Sequence, residues 1–73
     1  TEFMNKRKYF FLNGEQYYTT SRLTLLNIIK YFHYSTSFFV VEYNNLICNK
    51  NNWDKIYLEN NDKIEIVTIV GGG

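Results

Sequence analysis

Four places in the sequence carry residue types that could do chemistry: a lone cysteine, a lone histidine, a short basic run and a terminal run of glycines. The glycines Gly71, Gly72 and Gly73 follow a β-prone segment and have no side chains with which to pack. We therefore expect a mobile tail. A chain segment without Cβ atoms can enter a narrow channel of another protein. The C-terminal carboxylate of Gly73 would then be the reactive group. A frayed terminus is the ordinary alternative.

The other three candidates favour structural roles. Cys48 lies in a predicted short strand with only Lys50 close enough in sequence to lower its pKa, so we interpret it as a structural thiol rather than a persulfide carrier. His33 has no second metal ligand within sequence reach and is predicted to be a surface residue at a helix end. The basic run at 6–8 could suggest nucleic acid. Because the rest of the sequence does not extend it, we interpret it as the solvated start of a strand.

Size and charge narrow the class of protein. The chain has 73 residues, of which 45% are hydrophobic and 21% charged, with a formal net charge of +1. A chain of this length buries only about 60% of its unfolded surface, so a sheet and one helix sharing an apolar layer are the largest core it can build. Large clefted enzymes are excluded. The nearly balanced charge makes nucleic acid a poor default partner.

The amino-acid composition predicts the cellular compartment of the protein. No apolar run approaches the roughly 18 residues of a membrane helix, and no signal peptide is recognisable. A single cysteine allows no internal disulfide, which suits a reducing compartment. Ala and Pro are absent while Asn, Tyr, Phe, Ile and Lys abound, as in AT-rich genomes of low-GC bacteria or organelles. The predicted location is the cytoplasm, or the plastid stroma if an organelle encodes the chain.

Residues Thr1, Glu2 and Phe3 are interpreted as a cloning scar, because Glu-Phe is what a common restriction site encodes. The predicted domain then spans 4–70, followed by the glycine tail at 71–73. Neither internal repeats nor a linker divide this range, so we expect one domain.

A β-hairpin is predicted at the start of the domain. Aromatic, β-prone stretches at 8–13 and 15–20 flank Asn13-Gly14, the residue pair that best tolerates the two positive φ angles of a type I′ turn. The hydrophobic period then changes, and a helix is predicted from Thr24, whose hydroxyl can cap it, to about His33. Four apolar residues at helical spacing should be buried against a sheet: Leu25, Ile28, Ile29 and Phe32.

Two strands are predicted next. The nearly continuous apolar run at 38–43 is interpreted as a central strand with little alternation. A turn at Asn44-Asn45 leads to a short strand at 46–48.

The aromatic set of seven Tyr and six Phe exceeds what one small core can hold, so we expect some rings to be exposed.

The last third of the sequence predicts one helical turn and a final strand. Trp53, Ile56 and Tyr57 are spaced for a single turn capped by Asn51 or Asn52, and a polar turn then leads into a β-branched strand at 63–70. Together the elements predict an α+β domain in which a mixed sheet of about four to five strands packs on one helix.

The sequence resembles the ThiS family of sulfur-carrier proteins in thiamine biosynthesis, which are ubiquitin-like β-grasp domains. The likeness rests on Val-Val-Glu-Tyr-Asn-Asn-Leu-Ile at 40–47, Trp53, Leu-Glu-Asn-Asn-Asp-Lys-Ile-Glu-Ile-Val at 58–67 and the glycine end. The family's last turn usually reads Gly-Asp where this sequence has Asn61-Asp62, and Asn also accepts the left-handed backbone.

The resemblance implies a protein co-substrate rather than an enzyme. In the family, a ThiF-like adenylating enzyme uses ATP to activate the terminal carboxylate, here that of Gly73. Sulfur from a cysteine desulfurase then makes a thiocarboxylate, which donates it to thiazole synthase (ThiG-like). Gly71 and Gly72 would thread the tail into these partners. The resemblance implies no bound cofactor, no metal, no nucleic acid and no membrane.

Two alternatives stay open at this point. A MoaD-like subunit of molybdopterin synthase, or a ubiquitin-related modifier used in tRNA thiolation, would share the tail but serve another client. The short length and the region of Trp53 favour ThiS. A non-covalent β-grasp interaction module would carry the glycines incidentally, and blocking its C-terminal carboxylate would leave its function intact.

Overall fold

The computed structural model describes residues 6–32 and 38–68, which form five strands and one helix. The sheet order is β2-β1-β5-β3-β4, with β1 and β5 parallel and the other neighbours antiparallel. The predicted mixed sheet packed on one helix is therefore confirmed. The elements are β1 (Lys8–Leu12), β2 (Glu15–Thr19), α1 (Leu25–Phe32), β3 (Phe39–Tyr43), β4 (Leu46–Ile47) and β5 (Asp62–Thr68), with a 3-10 turn at Lys50–Asn52.

The predicted hairpin joins β1 and β2. Asn13 has φ 50° and Gly14 has φ 86°, the two positive values that a type I′ turn needs. A side chain at Gly14 would meet no atom within 4 Å, so its backbone conformation rather than a lack of space favours glycine. Asparagine also adopts positive φ angles at the turn between β3 and β4, where Asn44 has φ 52° and Asn45 has φ 75°.

The helix begins with a reciprocal cap. The backbone amide of Asn27 donates to Thr24 Oγ1 at 3.2 Å, and the amide of Thr24 donates to Asn27 Oδ1 at 2.9 Å. The next two amides, which the first turn of a helix cannot satisfy, donate to carbonyls of the segment before β5: Leu25 to Ile56 at 2.8 Å and Leu26 to Trp53 at 2.9 Å. The segment 53–56 therefore holds the start of α1.

The core lies between α1 and one face of the sheet. Leu25, Ile28 and Ile29 are buried as predicted, but Phe32 is only half-buried. Its ring contacts that of Tyr17 at a centroid distance of 4.9 Å. Tyr17 belongs to the edge strand β2, so Phe32 lies at the margin of the core. The buried hydrophobic core consists of Phe10, Leu12, Leu25, Ile28, Ile29, Val41, Trp53, Leu58 and Ile64.

Replacing Ile29 with Ala should lower the free energy of unfolding by about 2–5 kcal/mol, because the side chain is 2% exposed and its removal leaves a cavity. Lys30→Ala, one position along the same helix on its exposed face, is the control and should change stability by less than about 0.5 kcal/mol. Urea denaturation followed by tryptophan fluorescence measures both. Equal stability of the Ile29 variant and the parent would mean that this helix face is wrongly assigned.

The predicted position of β3 inside the sheet is confirmed, but its predicted burial is wrong. The apolar run that forms β3 is not buried on both faces: Val41 is buried, whereas its neighbours Val40 and Glu42 are half-buried. The helix covers only one face of the sheet, which explains this alternation. The middle strand of the sheet is β5, and β3 lies between it and the short edge strand β4.

The predicted helical turn lies earlier in the chain than expected. The 3-10 turn has Asn49 at its N-cap, without a capping side-chain hydrogen bond, and Trp53 at its C-cap. The indole Nε1 of Trp53 donates to the Cys48 carbonyl at 3.0 Å, and its ring stacks on Phe39. Tyr57, which was expected in the helical turn, instead forms an isolated β-bridge with Thr24.

Several predictions fall outside the described residues: the scar at 1–3, the role of His33, the loop at 33–37, the end of the last strand at 69–70 and the glycine tail at 71–73. Within residues 6–32 and 38–68, no helix is long and apolar enough to cross a membrane.

Candidate functional site at the carboxyl end of the central strand

The sequence places the candidate reactive group, the carboxylate of Gly73, five residues beyond the end of β5. Strand β5 is the middle strand, and its pairing with β1 is described from Asp62 to Ile64, whereas its pairing with β3 continues to Thr68. Because β1 and β5 are parallel, β5 ends on the side of the sheet that carries the Asn13-Gly14 turn. We call the residues Ile66, Val67 and Thr68 the exit segment.

One asparagine side chain supports the exit segment where β1 ends. The amide of Ile66 donates to Asn13 Oδ1 at 2.8 Å, and the amide of Asn13 donates to the Ile64 carbonyl at 2.9 Å. The side chain thus continues the hydrogen bonding of β5 after β1 has turned away. The sequence predicted only a backbone role for Asn13, in the turn. No sequence signal reveals the hydrogen bond between its side chain and Ile66.

The start of β5 is fixed by a buried carboxylate. Asp62, 6% exposed, accepts hydrogen bonds from the Tyr43 hydroxyl, from Asn44 Nδ2 at 3.1 Å and from the Glu59 amide at 2.8 Å. Burial, and then the hydrogen bond to Asp62, raise the pKa of Tyr43 above its usual range. Asn44 also accepts from the Lys63 amide at 2.8 Å. Strand β5 is therefore held by side-chain hydrogen bonds near both of its ends.

A small cleft flanks the exit segment on the side of the sheet that carries the helix. Its volume is about 410 Å³. At its rim the Tyr17 hydroxyl donates to Glu15 at 3.0 Å, and this hydrogen bond is the main reason why the pKa of Tyr17 is raised. The lining residues are Leu12, Asn13, Glu15, Tyr17, Phe32, Ile66 and Thr68.

On the other side of the sheet the exit segment borders an open apolar surface. Strand registers place Val67 opposite Val40, and Glu65 opposite Glu42, on the face away from α1. Val67 is 48% exposed. We call this face the outer sheet face; it also includes Tyr9, Phe11, Tyr18, Ile47 and Lys63, by register.

The expected exposure of aromatic rings is confirmed. The exposed rings among the described residues are those of Tyr18, Tyr31, Phe38 and Tyr57. Phe38 immediately precedes the strand that pairs with the exit segment, and Tyr18 belongs to the outer sheet face. Apolar surface of this kind favours contact with another protein.

The candidate thiol Cys48 follows the edge strand β4. Its amide donates to the Val41 carbonyl at 2.8 Å, and partial burial raises the pKa of its thiol. A raised pKa lowers the thiolate fraction at neutral pH, which is the reverse of what a persulfide carrier needs. These observations support the structural interpretation.

Iodoacetamide should therefore alkylate Cys48 more slowly than it alkylates a cysteine in an unstructured peptide, and the apparent pKa of the reaction should lie above the ordinary thiol value. Mass spectrometry of quenched samples across a pH series gives the rates, with the urea-unfolded chain as the matched control. A folded chain that reacts faster than the unfolded one would contradict this interpretation.

The basic run at 6–8 is a solvated strand start, as predicted, with Lys6 and Arg7 exposed. The premise that nothing extends it is wrong, because Arg22 and the three residues of the run line one surface cleft, distinct from the cleft beside the exit segment. Residue 22 is distant in sequence, and only the fold brings it to the run.

Comparison with known proteins decides the family. A family model described as the ThiS family matches residues 10–73. The chain belongs to the ThiS family. A crystal structure of a thiamine biosynthesis protein (ThiS) from Geobacter metallireducens matches with a TM-score of 0.74 at 18% identity, covering 89% of this chain and 99% of that one. The fold is therefore the β-grasp of ThiS proteins.

Other relatives extend the ThiS-family likeness to proteins named ycf40. The ycf40 protein of Trieres chinensis is 61% identical over 66 residues, 90% of each chain. That of Porphyra purpurea is 30% identical over 70 residues, 96% of this chain and 99% of its own, and that of Pyropia yezoensis is 31% identical over 62 residues, 85% and 87%. The name ycf40 states no activity, so these relatives support the kinship without naming a client for sulfur.

Proposed function

We propose that this ThiS-family protein is a sulfur carrier in the biosynthesis of the thiazole of thiamine, with the C-terminal carboxylate of Gly73 as the group that bears the sulfur. The observation that carries the proposal is the position of the exit segment: it ends the middle strand of the sheet, which is hydrogen-bonded near both ends and precedes the glycines in the sequence. Five residues follow Thr68, and five extended residues span at most about 17 Å. The terminus can thus reach into a neighbouring protein while the domain stays outside.

The first chemical step activates the carboxylate. A carboxylate is a poor acyl donor because its oxygen leaves badly. A ThiF-like adenylating enzyme supplies ATP, whose α-phosphorus is attacked by a Gly73 carboxylate oxygen, and pyrophosphate leaves. The product is a mixed anhydride with AMP, which is a good acyl donor. ATP belongs to the partner in this proposal, and the carrier holds neither cofactor nor metal.

The second step introduces sulfur. The terminal sulfur of a persulfide formed by a cysteine desulfurase attacks the activated carbonyl, and AMP leaves. The resulting acyl disulfide is cleaved by a thiol of a partner protein, which attacks the sulfur that is not bound to the acyl group. A disulfide forms between the two partner sulfurs, and the carrier departs as the thiocarboxylate. Thiazole synthase (ThiG-like) then receives this sulfur.

The chain contributes docking and access rather than acid–base chemistry. Gly71, Gly72 and Gly73 bring no Cβ atoms into the partner's channel. The outer sheet face gives the partner an apolar contact at Val67, which belongs to the exit segment, and at Val40 opposite it. Two carboxylates, Glu42 and Glu65, lie opposite each other on this face, so a complementary partner surface is apolar with a basic group. The protein is a co-substrate of its partners, not an enzyme.

The client can be tested by supplying the thiocarboxylated chain, labelled with radioactive sulfur, to two acceptors in parallel. Thiazole synthase with its sugar phosphate and glycine-derived imine should take up the label. The large subunit of molybdopterin synthase with its own precursor should not. Transfer to the second acceptor alone would favour a MoaD-like carrier, and a C-terminally amidated chain that keeps full biological function would favour a non-covalent interaction module.

The compartment we propose is the plastid stroma. The relatives are ycf40 proteins, which plastids encode, and the amino-acid usage of this chain is that of an AT-rich genome. Detection of the tagged protein in fractionated organelles tests this location, and a cytoplasmic signal alone would contradict it.

A further inference from the structure

Four cations meet at the end of the sheet opposite the exit segment. Lys6, Arg7 and Lys8 lie at the start of β1, which runs parallel to β5, and Arg22 lies between β2 and α1. All four line one surface cleft of about 460 Å³. We call these four residues the basic pole. The other residues that line the cleft are Tyr57, Leu58, Glu59 and Asn60.

The segment before β5 fixes the two halves of the basic pole to each other. On one side, the Tyr9 amide donates to Asn60 Oδ1 at 2.8 Å and the Asn61 amide donates to the Tyr9 carbonyl at 2.6 Å. On the other side, the amide of Leu58 donates to the Leu23 carbonyl at 2.8 Å. Leu58 itself is 2% exposed and belongs to the core. The backbones beneath the four cations are therefore held by the fold.

Aromatic rings orient both guanidinium groups. Arg7 Cζ lies 4.7 Å from the centroid of the Tyr18 ring, and Arg22 Cζ lies 4.0 Å from that of Tyr57. A guanidinium stacked on a ring keeps the N–H groups along its edges free for carboxylates. Among residues 6–32 and 38–68, neither arginine forms an ion pair with a carboxylate, and the side-chain hydrogen bond between Arg7 and Tyr9 uses only part of the donors of that guanidinium.

The charge of this cleft differs from that of the whole chain. Half of the eight Lys and Arg residues lie here, against one carboxylate in the lining, Glu59, whereas the formal net charge of the chain is only +1. Lys8 Nζ donates a long hydrogen bond of 3.5 Å to the Leu58 carbonyl. The basic pole is thus a local positive site with unused hydrogen-bond donors.

We propose that the basic pole binds an acidic segment of a partner protein, in which several Asp or Glu side chains lie close together. Two oriented guanidinium edges and two ammonium groups match a small set of carboxylates. Nucleic acid fits less well, because its affinity depends on neutralising many phosphates along a continuous path. The remaining cations of the described chain do not line this cleft: Lys30, Lys50, Lys55 and Lys63.

The position of the basic pole also matters for sulfur transfer. This second inference rests on the proposed function, whereas the docking itself does not. The basic pole and the exit segment lie at opposite ends of the parallel pair β1 and β5. A segment bound at the basic pole is therefore separated from the exit segment by the length of β5. The carrier can therefore be held by one protein while its terminus occupies the active site of another.

Nitrogen-15 NMR titration of the full chain with a synthetic peptide of alternating glutamate and serine tests the docking. Amide shifts should concentrate at 6–8, Arg22 and 57–60, and added salt should weaken them. The double variant Arg7→Gln/Arg22→Gln should bind the peptide about fivefold more weakly. The control Lys30→Gln/Lys50→Gln removes the same charge outside the cleft and should change the affinity less than about twofold.

Equal weakening by the two double variants, or shifts spread evenly over all lysines, would overturn the proposal. Tighter binding of an oligouridylate of equal charge would overturn it in favour of an RNA partner. Thermal unfolding confirms that each variant folds. The Arg7→Gln/Arg22→Gln chain should still gain sulfur at Gly73 with the purified enzymes, so failure of the docking and failure of the carrier function are distinguishable.

Discussion

A chain extended by one alanine after Gly73 should gain sulfur more than about 100-fold more slowly than the parent chain, when both are incubated with the adenylating enzyme, ATP, a cysteine desulfurase and cysteine. The extension moves the carboxylate beyond the position of attack and carries a Cβ atom into a channel shaped for glycine. Gly72→Val should impair the reaction for the steric reason alone. Intact-mass spectrometry over time gives the rates.

The matched control carries the same alanine before Thr1, so composition and mass equal those of the extended chain. This control should react at the parental rate, because the added residue is remote in sequence from the C-terminal carboxylate. If the C-terminally extended chain reacts as fast as the control, the terminal carboxylate is not confined to a narrow channel and the threading mechanism fails.

Val67→Glu should lower kcat/KM for adenylation about 30-fold, the loss expected when a charge replaces an apolar residue at the centre of a protein contact. Val67 is 48% exposed in the exit segment and lies opposite Val40, so the partner that takes the tail should cover it. A glutamate there adds a third carboxylate near Glu42 and Glu65. Pyrophosphate release measured across carrier concentrations gives kcat/KM.

Tyr31→Glu is the control for this surface. Tyr31 is 77% exposed on the helix, on the opposite side of the molecule from the outer sheet face. Both variants should unfold within about 0.5 kcal/mol of the parent, because neither side chain is buried. Equal loss of activity in the two variants would contradict the assignment of the outer sheet face as the contact.

Local chemistry made much of the fold predictable. Asn13-Gly14 has one favourable use, the turn with two positive φ angles, and the observed angles show that use. Thr24 could be identified as the helix cap for two reasons. Its hydroxyl can accept a hydrogen bond from a first-turn amide, and the apolar residues at helical spacing begin directly after it. Asn61 has φ 72°, which is the left-handed conformation that asparagine was expected to accept at this turn.

The features that escaped prediction depend on contacts between distant residues. The helical turn near Trp53 is displaced because the Trp53 and Ile56 carbonyls accept hydrogen bonds from the first amides of α1. The half-burial of Phe32 depends on its place beside an edge strand, which no periodicity encodes. The sequence order of the elements did not reveal that β5 would be the middle strand.

The candidate site shows the same division. The glycine terminus could be predicted because side-chain-free residues at the end of a chain are visible in the sequence. The Asn13 side chain that supports Ile66 could not, since the contact joins residues 53 positions apart. The basic pole was missed because Arg22 reaches the run at 6–8 through two contacts, the pairing of Lys8 with Thr19 and the hydrogen bonds of the segment 57–61 to both sides.

The most direct test of the carrier mechanism is the mass and position of the sulfur. After reaction with the adenylating enzyme, ATP, the desulfurase and cysteine, the intact chain should be heavier by one sulfur minus one oxygen, and fragmentation should place the change on Gly73. A Cys48→Ser chain should gain the same mass, because the attacking persulfide belongs to the partner. Sulfur located at Cys48, or no change at Gly73 in a chain that the enzyme adenylates, would contradict the mechanism.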